Sequence, residues 1–139
     1  MGILGYGHIG KAVAKMAAGL GATVVASNWK GPYDPPPAPL KWLSPSNDRL
    51  FRAVDVLFVT VSGLAGRVVN GTGLAMLRDD AHIIPTAHET IDWPALLAEL
   101  KRRPSLFASI DNWPKGCWGW PVADCGHVGQ VSLDPLPSP

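Results

Sequence analysis

Three glycines near the start of the chain constrain its fold more than any other feature of the sequence. They form the run G-Y-G-H-I-G, at Gly5, Gly7 and Gly10. An apolar segment over residues 1–4 precedes the run, and the residues after it repeat with the spacing of an amphipathic helix over residues 8–20. A second apolar strand is predicted over residues 22–27. A strand, a glycine-rich turn, a helix and a second strand in this order are typical of the first unit of a parallel α/β sheet.

The rest of the sequence continues this alternation of strands and helices. Further strands are predicted over residues 40–43, 55–61, 81–85 and 106–110. Helical patterns lie between the later strands, and one of them is a weak, glycine-interrupted turn around residues 74–77. We therefore predict an α/β fold: a doubly wound parallel sheet of the Rossmann type, with about six strands in the order 3-2-1-4-5-6 and three α/β/α layers.

Two of the predicted helices carry clear start signals. Ser46 and Asp92 each precede a helical pattern, and their side chains are expected to accept hydrogen bonds from free amides of the first turn. The second of these helices ends in Lys101, Arg102 and Arg103. Cations at that end are favoured by the helix dipole, so we expect the three side chains to serve this role.

The composition excludes several classes of partner. The chain has 139 residues, is 47% hydrophobic and carries a formal net charge of +1. A chain so close to neutral offers no electrostatic attraction to nucleic acid or to a membrane surface. Its apolar runs are also much shorter than the ~20 residues that cross a bilayer. We expect one globular domain without a nucleic-acid or membrane partner.

The two cysteines indicate neither a disulfide framework nor a metal site. Cys117 and Cys125 lie in a segment rich in Pro, Gly and Trp, with His127 close behind. A structural zinc site normally has four ligands and closer cysteine spacing. The first predicted strand begins at Met1, so we expect no signal peptide. We expect no metal, and a cytoplasmic protein with free thiols.

The glycine run also predicts a ligand. In a strand-to-helix turn of this kind, Gly5 permits the tight turn, Gly7 lets a pyrophosphate approach the backbone, and Gly10 lets the helix lie close to the strand. The amides of His8 and Ile9, at the start of the helix, are expected to face the anion. The alternative is a tight turn that binds nothing, but the complete strand-turn-helix-strand context favours a dinucleotide.

The end of the second predicted strand bears on the choice between NAD and NADP. A carboxylate there would normally bind the ribose hydroxyls of NAD, but the chain reads Ser-Asn-Trp-Lys over residues 27–30. Asn28 can bond to a ribose or a phosphate without repelling it, and Lys30 could neutralise a 2′-phosphate. A solvated loop lysine is the alternative role for Lys30. The sequence therefore leaves both NAD and NADP open.

Residues that follow the later strands complete the predicted site, because ligands of open α/β sheets bind at the carboxyl ends of the strands. Val61, Thr86 and Asp111 are the cofactor-binding candidates on this edge. His88 and Glu89 follow the fifth strand and are the best candidates for contact with a substrate, with His88 the catalytic candidate. An ordinary polar loop is the alternative role for this pair.

Four segments in succession resemble the NAD-binding domain of the D-isomer-specific 2-hydroxyacid dehydrogenases. They are the opening GILGYGHIGKAVAKMAAGLGATVVAS, then AVDVLFVTVSGLAGRVVNGTGLAMLRDDAHIIPTA, PALLAELKRRP and LFASIDNWP. The likeness covers most of residues 1–113, which we predict to be a dinucleotide-binding Rossmann domain followed by an irregular tail over residues 114–139. The resemblance implies hydride transfer between NAD(P)H and a 2-oxo acid, with an Arg that orients the substrate, a general-acid His and a Glu that raises the pKa of the His. It also implies a homodimer.

The chain departs from that family at each catalytic position. His88 stands where the resemblance places the Arg, and the segment after Asp111 reads Asn-Trp-Pro-Lys-Gly, without the Glu. The segment over residues 131–136 resembles the strand before the catalytic His, with Leu136 in the place of that His. We therefore expect a dinucleotide-binding domain whose catalytic positions are lost. The alternatives are a non-catalytic dinucleotide sensor or interaction module, and an incomplete fragment of a dehydrogenase.

Overall fold

The computed structural model describes residues 1–28, 34–110 and 131–132. The strands are β1 (Gly2–Leu4), β2 (Val25–Ser27), β3 (Leu43–Ser44), β4 (Val56–Val59), β5 (His82–Pro85), β6 (Phe107–Ser109) and β7 (Val131–Ser132). The helices are α1 (His8–Gly19), α2 (Asn47–Ala53), α3 (Gly71–Met76) and α4 (Trp93–Arg102), with short 3-10 helices over Gly63–Ala65 and His88–Thr90.

The described strands form one parallel sheet in the order β3-β2-β1-β4-β5-β6-β7. The predicted α/β class, the parallel sheet and the order of the first six strands are confirmed. The chain leaves β1 toward β2 on one side and later returns to β4 on the other side of β1. This reversal between β1 and β4 opens a crevice at the carboxyl edge of the sheet, where folds of this type bind ligands.

Helices cover both faces of the sheet, as expected for a doubly wound fold. Helix α1 packs on one face, over a cluster that includes Ile3, Ala14 and Ala26. Helices α2, α3 and α4 pack on the other face, where the larger cluster includes Leu50, Leu74 and Leu96. The connection from β1 to β2 crosses the sheet in one direction, and the connections from β3 onward cross it in the other. Because both kinds of crossover are right-handed, their helices lie on opposite faces of the sheet.

Two segments of the sheet differ from what the sequence predicts. The third strand was expected over residues 40–43, but β3 is Leu43–Ser44. Leu40 donates its amide to Pro37 within a turn, and the preceding proline has no amide to pair, so the strand starts later. The tail was expected to be irregular, but β7 within it pairs parallel to β6. Two residues are too short for a periodic pattern, and the sequence signal for this strand was the resemblance of residues 131–136 to a strand of the family.

Side-chain caps begin three of the helices. The Ser46 hydroxyl accepts a hydrogen bond from the Arg49 amide at 3.3 Å, and the Asp92 carboxylate accepts one from Ala95 at 3.4 Å. Both predicted caps are therefore confirmed. Asn70 also caps α3 by accepting a bond from the Gly73 amide at 3.0 Å, which the sequence analysis did not predict.

Arg103 has a structural role that the sequence analysis missed. It was expected only to be one of three cations favoured by the dipole at the end of α4, but it is buried, with 5% of its surface exposed. Its guanidinium donates to the carbonyls of Leu77 and Leu74 at 2.9 and 2.7 Å and pairs with Glu99 at 2.8 Å. Arg103 thus joins the end of α3 to α4, and the carbonyls and the carboxylate compensate for burial of its charge.

Among the described residues, no helix is long and apolar enough to cross a membrane.

Candidate dinucleotide-binding site

The glycine turn between β1 and α1 lies at the crevice on the carboxyl edge. Gly5 has a φ of +95°, a backbone conformation that residues with a Cβ rarely adopt. Its amide donates to the Ser27 carbonyl at 2.9 Å, and a Cβ at this position would lie 2.6 Å from Cγ1 of Val61. Glycine is therefore required at residue 5, and Val61 closes the turn from the β4 side.

Gly10 lets the first turn of α1 lie directly on β1. A Cβ on Gly10 would collide with the Gly5 carbonyl oxygen and would lie 2.9 Å from Oγ1 of Thr60. The same Thr60 hydroxyl donates to the Gly5 carbonyl at 2.6 Å. The contact is the close helix-strand approach that the motif predicts for its last glycine, with Thr60 as an additional residue that only the structure reveals.

Gly7 is exposed and is the N-cap residue of α1. A Cβ there would meet no atom of the described chain within 4 Å, and its φ of −87° does not require glycine. Packing among the described residues therefore gives no reason for a glycine at this position. An approach of a ligand to the backbone gives one.

The start of α1 is suited to an anion. The first helical hydrogen bond runs from the Lys11 amide to the Gly7 carbonyl at 2.9 Å, so the preceding amides of His8 and Ile9 point out of the helix without a helical acceptor. No side chain caps this end, and the first turn contains no acidic residue. Together with the open space at Gly7, these features fit the pyrophosphate of a dinucleotide.

The end of β2 borders the same crevice on the other side of the turn. Asn28 is partly exposed, and its amide donates to the Ser44 carbonyl at 2.9 Å. The Ser27 hydroxyl is buried and donates to Oδ1 of Asn47 at 2.9 Å. The structure thus brings Ser44 and Asn47 to the place where Asn28 was predicted to act; Lys30 lies outside the described residues.

Residues after β4 and β5 line the other half of the edge. Thr86 is exposed, and its hydroxyl donates to the Val59 carbonyl at 3.0 Å, which fixes the end of β5 against β4. The two 3-10 helices lie side by side: a Cβ on Gly63 would lie 3.0 Å from the Glu89 carboxylate. His88 begins the second of them, at the carboxyl end of β5 as predicted.

Several residues that the sequence singles out are not among the described residues. Asp111, Cys117, Cys125 and His127 lie outside the described residues, as does Leu136. Within residues 1–28, 34–110 and 131–132, no three His, Cys, Asp or Glu side chains are grouped closely enough to hold a metal ion.

Tyr6, inside the glycine run, was not singled out from the sequence. The side chain is buried with the α1 cluster, and burial raises the pKa of its hydroxyl above the ordinary value. The ammonium group of Lys11 lies 5.9 Å from the centre of its ring. Tyr6 therefore anchors the turn in the core, and an aromatic residue between two glycines was the signal for this role.

The sequence matches the D-isomer-specific 2-hydroxyacid dehydrogenase, NAD binding domain, over residues 1–123. It is 33% identical over 145 residues to a D-lactate dehydrogenase of Treponema pallidum, with 95% of this chain and 42% of the relative aligned. It is 31% identical over 121 residues to a D-2-hydroxyacid dehydrogenase (NAD+) of Lacticaseibacillus paracasei, with 81% and 34% aligned. The chain thus spans well under half the length of both relatives.

Solved structures of related dehydrogenases have the same fold as this chain. The D-2-hydroxyisocaproate dehydrogenase structure has a TM-score of 0.75 at 27% identity, covering 96% of this chain and 44% of that one. A glycerate dehydrogenase related protein of Thermoplasma acidophilum has the same TM-score and identity, covering 96% and 46%. With the glycine turn, the strand order and the matched residues in agreement, this chain belongs to the NAD-binding domain family of the D-isomer-specific 2-hydroxyacid dehydrogenases.

Proposed function

We propose that residues 1–113 bind the pyrophosphate of NAD or NADP at the start of α1 and the adenosine half at the end of β2. The single observation that carries this proposal is the geometry at Gly7: open space on an uncapped helix N-terminus without an acidic residue in its first turn. Val61, Thr86 and Asp111 are assigned to the nicotinamide side of the edge. Family membership supports the choice of ligand.

As part of a dehydrogenase, the domain would serve hydride transfer between NAD(P)H and a 2-oxo acid or its D-2-hydroxy acid. The bound cofactor would supply the hydride, and the chain's own part is to hold it at the crevice between β1 and β4. His88 is the residue we assign to substrate contact, since it begins the short helix that follows β5 on this edge. The names of the relatives, which refer to D-lactate and to D-2-hydroxyacids, support a D-2-hydroxy acid as the substrate class.

A non-catalytic role is the second candidate. In the resemblance that the sequence shows, an Arg would clamp the substrate carboxylate at residue 88, but this chain has His followed by Glu89. A guanidinium binds a carboxylate through two parallel hydrogen bonds, which an imidazole cannot do. This substitution favours a dinucleotide sensor or an incomplete dehydrogenase domain over an independent enzyme.

Calorimetric titration of the purified chain with NADH and NADPH, in parallel, tests the proposal. Saturable binding of either dinucleotide, lost in Gly7→Val and retained in Gly19→Val, is the expected result. Gly19 is the matched control because it also lies in α1, and a Cβ there would meet no described atom within 4 Å. If the folded wild-type chain binds neither dinucleotide, the proposed function is wrong.

We also propose that the chain pairs with a second copy through the exposed side of α1. Ile9, Met16 and Leu20 project from one side of this helix with 56%, 63% and 90% of their surfaces exposed. Burial of such side chains between two subunits would remove apolar surface from water. Sedimentation equilibrium of the wild type and of Met16→Lys checks the proposed dimer, and a monomeric wild type would contradict it.

A cytoplasmic location remains a prediction from the cysteines.

A further inference from the structure

Asn47 is placed at the end of β2 by a hydrogen bond that the motifs do not predict. The Ser27 hydroxyl is fully buried and donates to Oδ1 of Asn47 at 2.9 Å, across twenty residues of sequence. Because the amide oxygen of Asn47 is the acceptor, its amide nitrogen is left with two N–H groups for other partners. Asn47 itself is partly exposed and lies beside the carboxyl end of β2.

The surroundings of Asn47 belong to the adenosine half of the proposed site. Asn28 follows Ser27, and its amide bonds to the Ser44 carbonyl at 2.9 Å, so the ends of β2 and β3 are held together beside Asn47. Residues 25–28 contain no carboxylate. The ribose of a dinucleotide lies at this strand end in folds of this type.

Two charged residues, Asp48 and Arg49, follow Asn47 in the sequence. Asp48 is exposed in the first turn of α2. The guanidinium of Arg49 lies 4.5 Å from the centre of the Trp42 ring, so its cation is held over an aromatic face. The side chain that bonds directly to the end of β2 is the neutral amide of Asn47, and these two charged residues follow it in the sequence.

We infer that Asn47 is a specificity-determining residue, whose amide nitrogen donates to the group at the 2′ position of the adenosine ribose. The inference rests on the proposed function and goes beyond it by adding to Asn28 a residue from a different element. A neutral donor bonds to a 2′-phosphate without repulsion, whereas a carboxylate would accept from a 2′-hydroxyl and repel a phosphate. Asn47 therefore permits NADP binding at this edge.

Asn47→Asp tests the inference, because it keeps the shape of the side chain and an acceptor for the Ser27 hydroxyl while it adds a negative charge. Dissociation constants for NADH and NADPH are measured calorimetrically for the wild type and the variant. We expect NADPH affinity to fall at least tenfold relative to NADH affinity. Asp48→Asn is the matched control: it changes the charge by one unit at the adjacent residue and should alter the ratio less than threefold.

The outcomes separate the inference from the proposed function. If the wild type binds a dinucleotide and Asn47→Asp leaves the NADPH-to-NADH ratio within threefold, the inference is wrong and the proposed function stands. A shift of equal size and opposite direction in Asp48→Asn, which removes a negative charge, would assign the effect to the general field and would also overturn the inference. If the wild type binds neither dinucleotide, both fail. Thermal unfolding of each variant verifies the fold.

Discussion

The hydroxyl of Thr60 donates a hydrogen bond of 2.6 Å to the carbonyl of Gly5, which links the end of β4 to the glycine turn after β1. The Thr60 amide also donates to the Leu4 carbonyl at 2.9 Å. These bonds span the two strands between which the order of the sheet reverses. The crevice proposed to hold the pyrophosphate therefore has a floor held by hydrogen bonds before any ligand binds.

Gly10→Ala is expected to destabilise the fold. The added methyl group would collide with the Gly5 carbonyl and crowd the Thr60 hydroxyl, so α1 would have to move away from β1. Overpacking of this kind costs about 1–3 kcal/mol, which urea denaturation followed by circular dichroism would measure. A stability equal to that of the wild type would contradict the close contact.

Gly7→Val is expected to reduce affinity in a chain that remains folded, although Val is less favourable than Gly at an N-cap. The added side chain enters the open space at the start of α1, so binding of either dinucleotide should weaken more than tenfold, or by more than about 1.4 kcal/mol. Gly19→Val, at the other end of the same helix, controls for the effect of a β-branched residue in α1. Normal affinity in a folded Gly7→Val variant would remove the glycine turn from the binding site.

Cofactor preference is expected to respond to the residues after β2. Asn28→Asp should repel a 2′-phosphate and favour NADH, whereas Lys30→Ala should weaken NADPH binding alone. Each dissociation constant is measured at one fixed ionic strength, because screening reduces the effect of exposed charges. An unchanged affinity ratio in both variants would exclude Asn28 and Lys30 from cofactor selection.

The fold was predictable because local and long-range preferences agree. The run Val56–Val59 is apolar at every position, as a strand between two helical layers requires. The side chains of Ser46 and Asp92 accept the hydrogen bonds from helix amides that their residue types predict. The beginning of β3 was missed because the turn at Pro37 and Leu40 overrides an apolar pattern.

The site was predictable only where one motif contains its residues. The glycine turn is a local pattern, so its three glycines were assigned from their spacing together with the strand before them and the helix and strand after them. Thr60 and Asn47 reach the site from segments far away in sequence, through the hydrogen bonds to Gly5 and Ser27. A hydroxyl and an amide are common on any surface, so single residues of these types carry no signal until the fold brings them to the edge.

Glu99 should make stability depend on pH in the acid range. A hydrogen bond from Arg102, with the charge of Arg103, lowers its pKa below the ordinary value, against the effect of burial. A lowered pKa contributes stability above the unfolded value of about 4.3, and this stability is lost as the pH falls through the folded value. Glu99→Gln should therefore cost about 1–3 kcal/mol at neutral pH and progressively less below about pH 4.

A control for the Glu99 prediction comes from an exposed ion pair. Asp80 lies 3.3 Å from Arg78, and 66% and 57% of their side chains are exposed. Asp80→Asn should change the free energy of unfolding by less than about 1 kcal/mol. Urea denaturation of both variants across a series of pH values makes the comparison, and a pH-independent cost of Glu99→Gln would contradict the assignment.

The last prediction concerns turnover: the purified chain should reduce glyoxylate, hydroxypyruvate or pyruvate negligibly with either NADH or NADPH. The residues present at the positions implied for catalysis are His88 instead of Arg, and Leu136 instead of His, with no carboxylate near Lys115. A general acid contributes about 10²–10⁴-fold to rate, and loss of a clamp that orients the substrate removes further acceleration. Consumption of NADH and NADPH, followed by absorbance over hours, provides the measurement. Turnover within the common enzyme range of about 1–10³ per second would refute the loss of catalysis. His88→Ala would then show whether the residue after β5 has taken over the chemistry, since it should abolish turnover while leaving dinucleotide affinity within about twofold of the wild type.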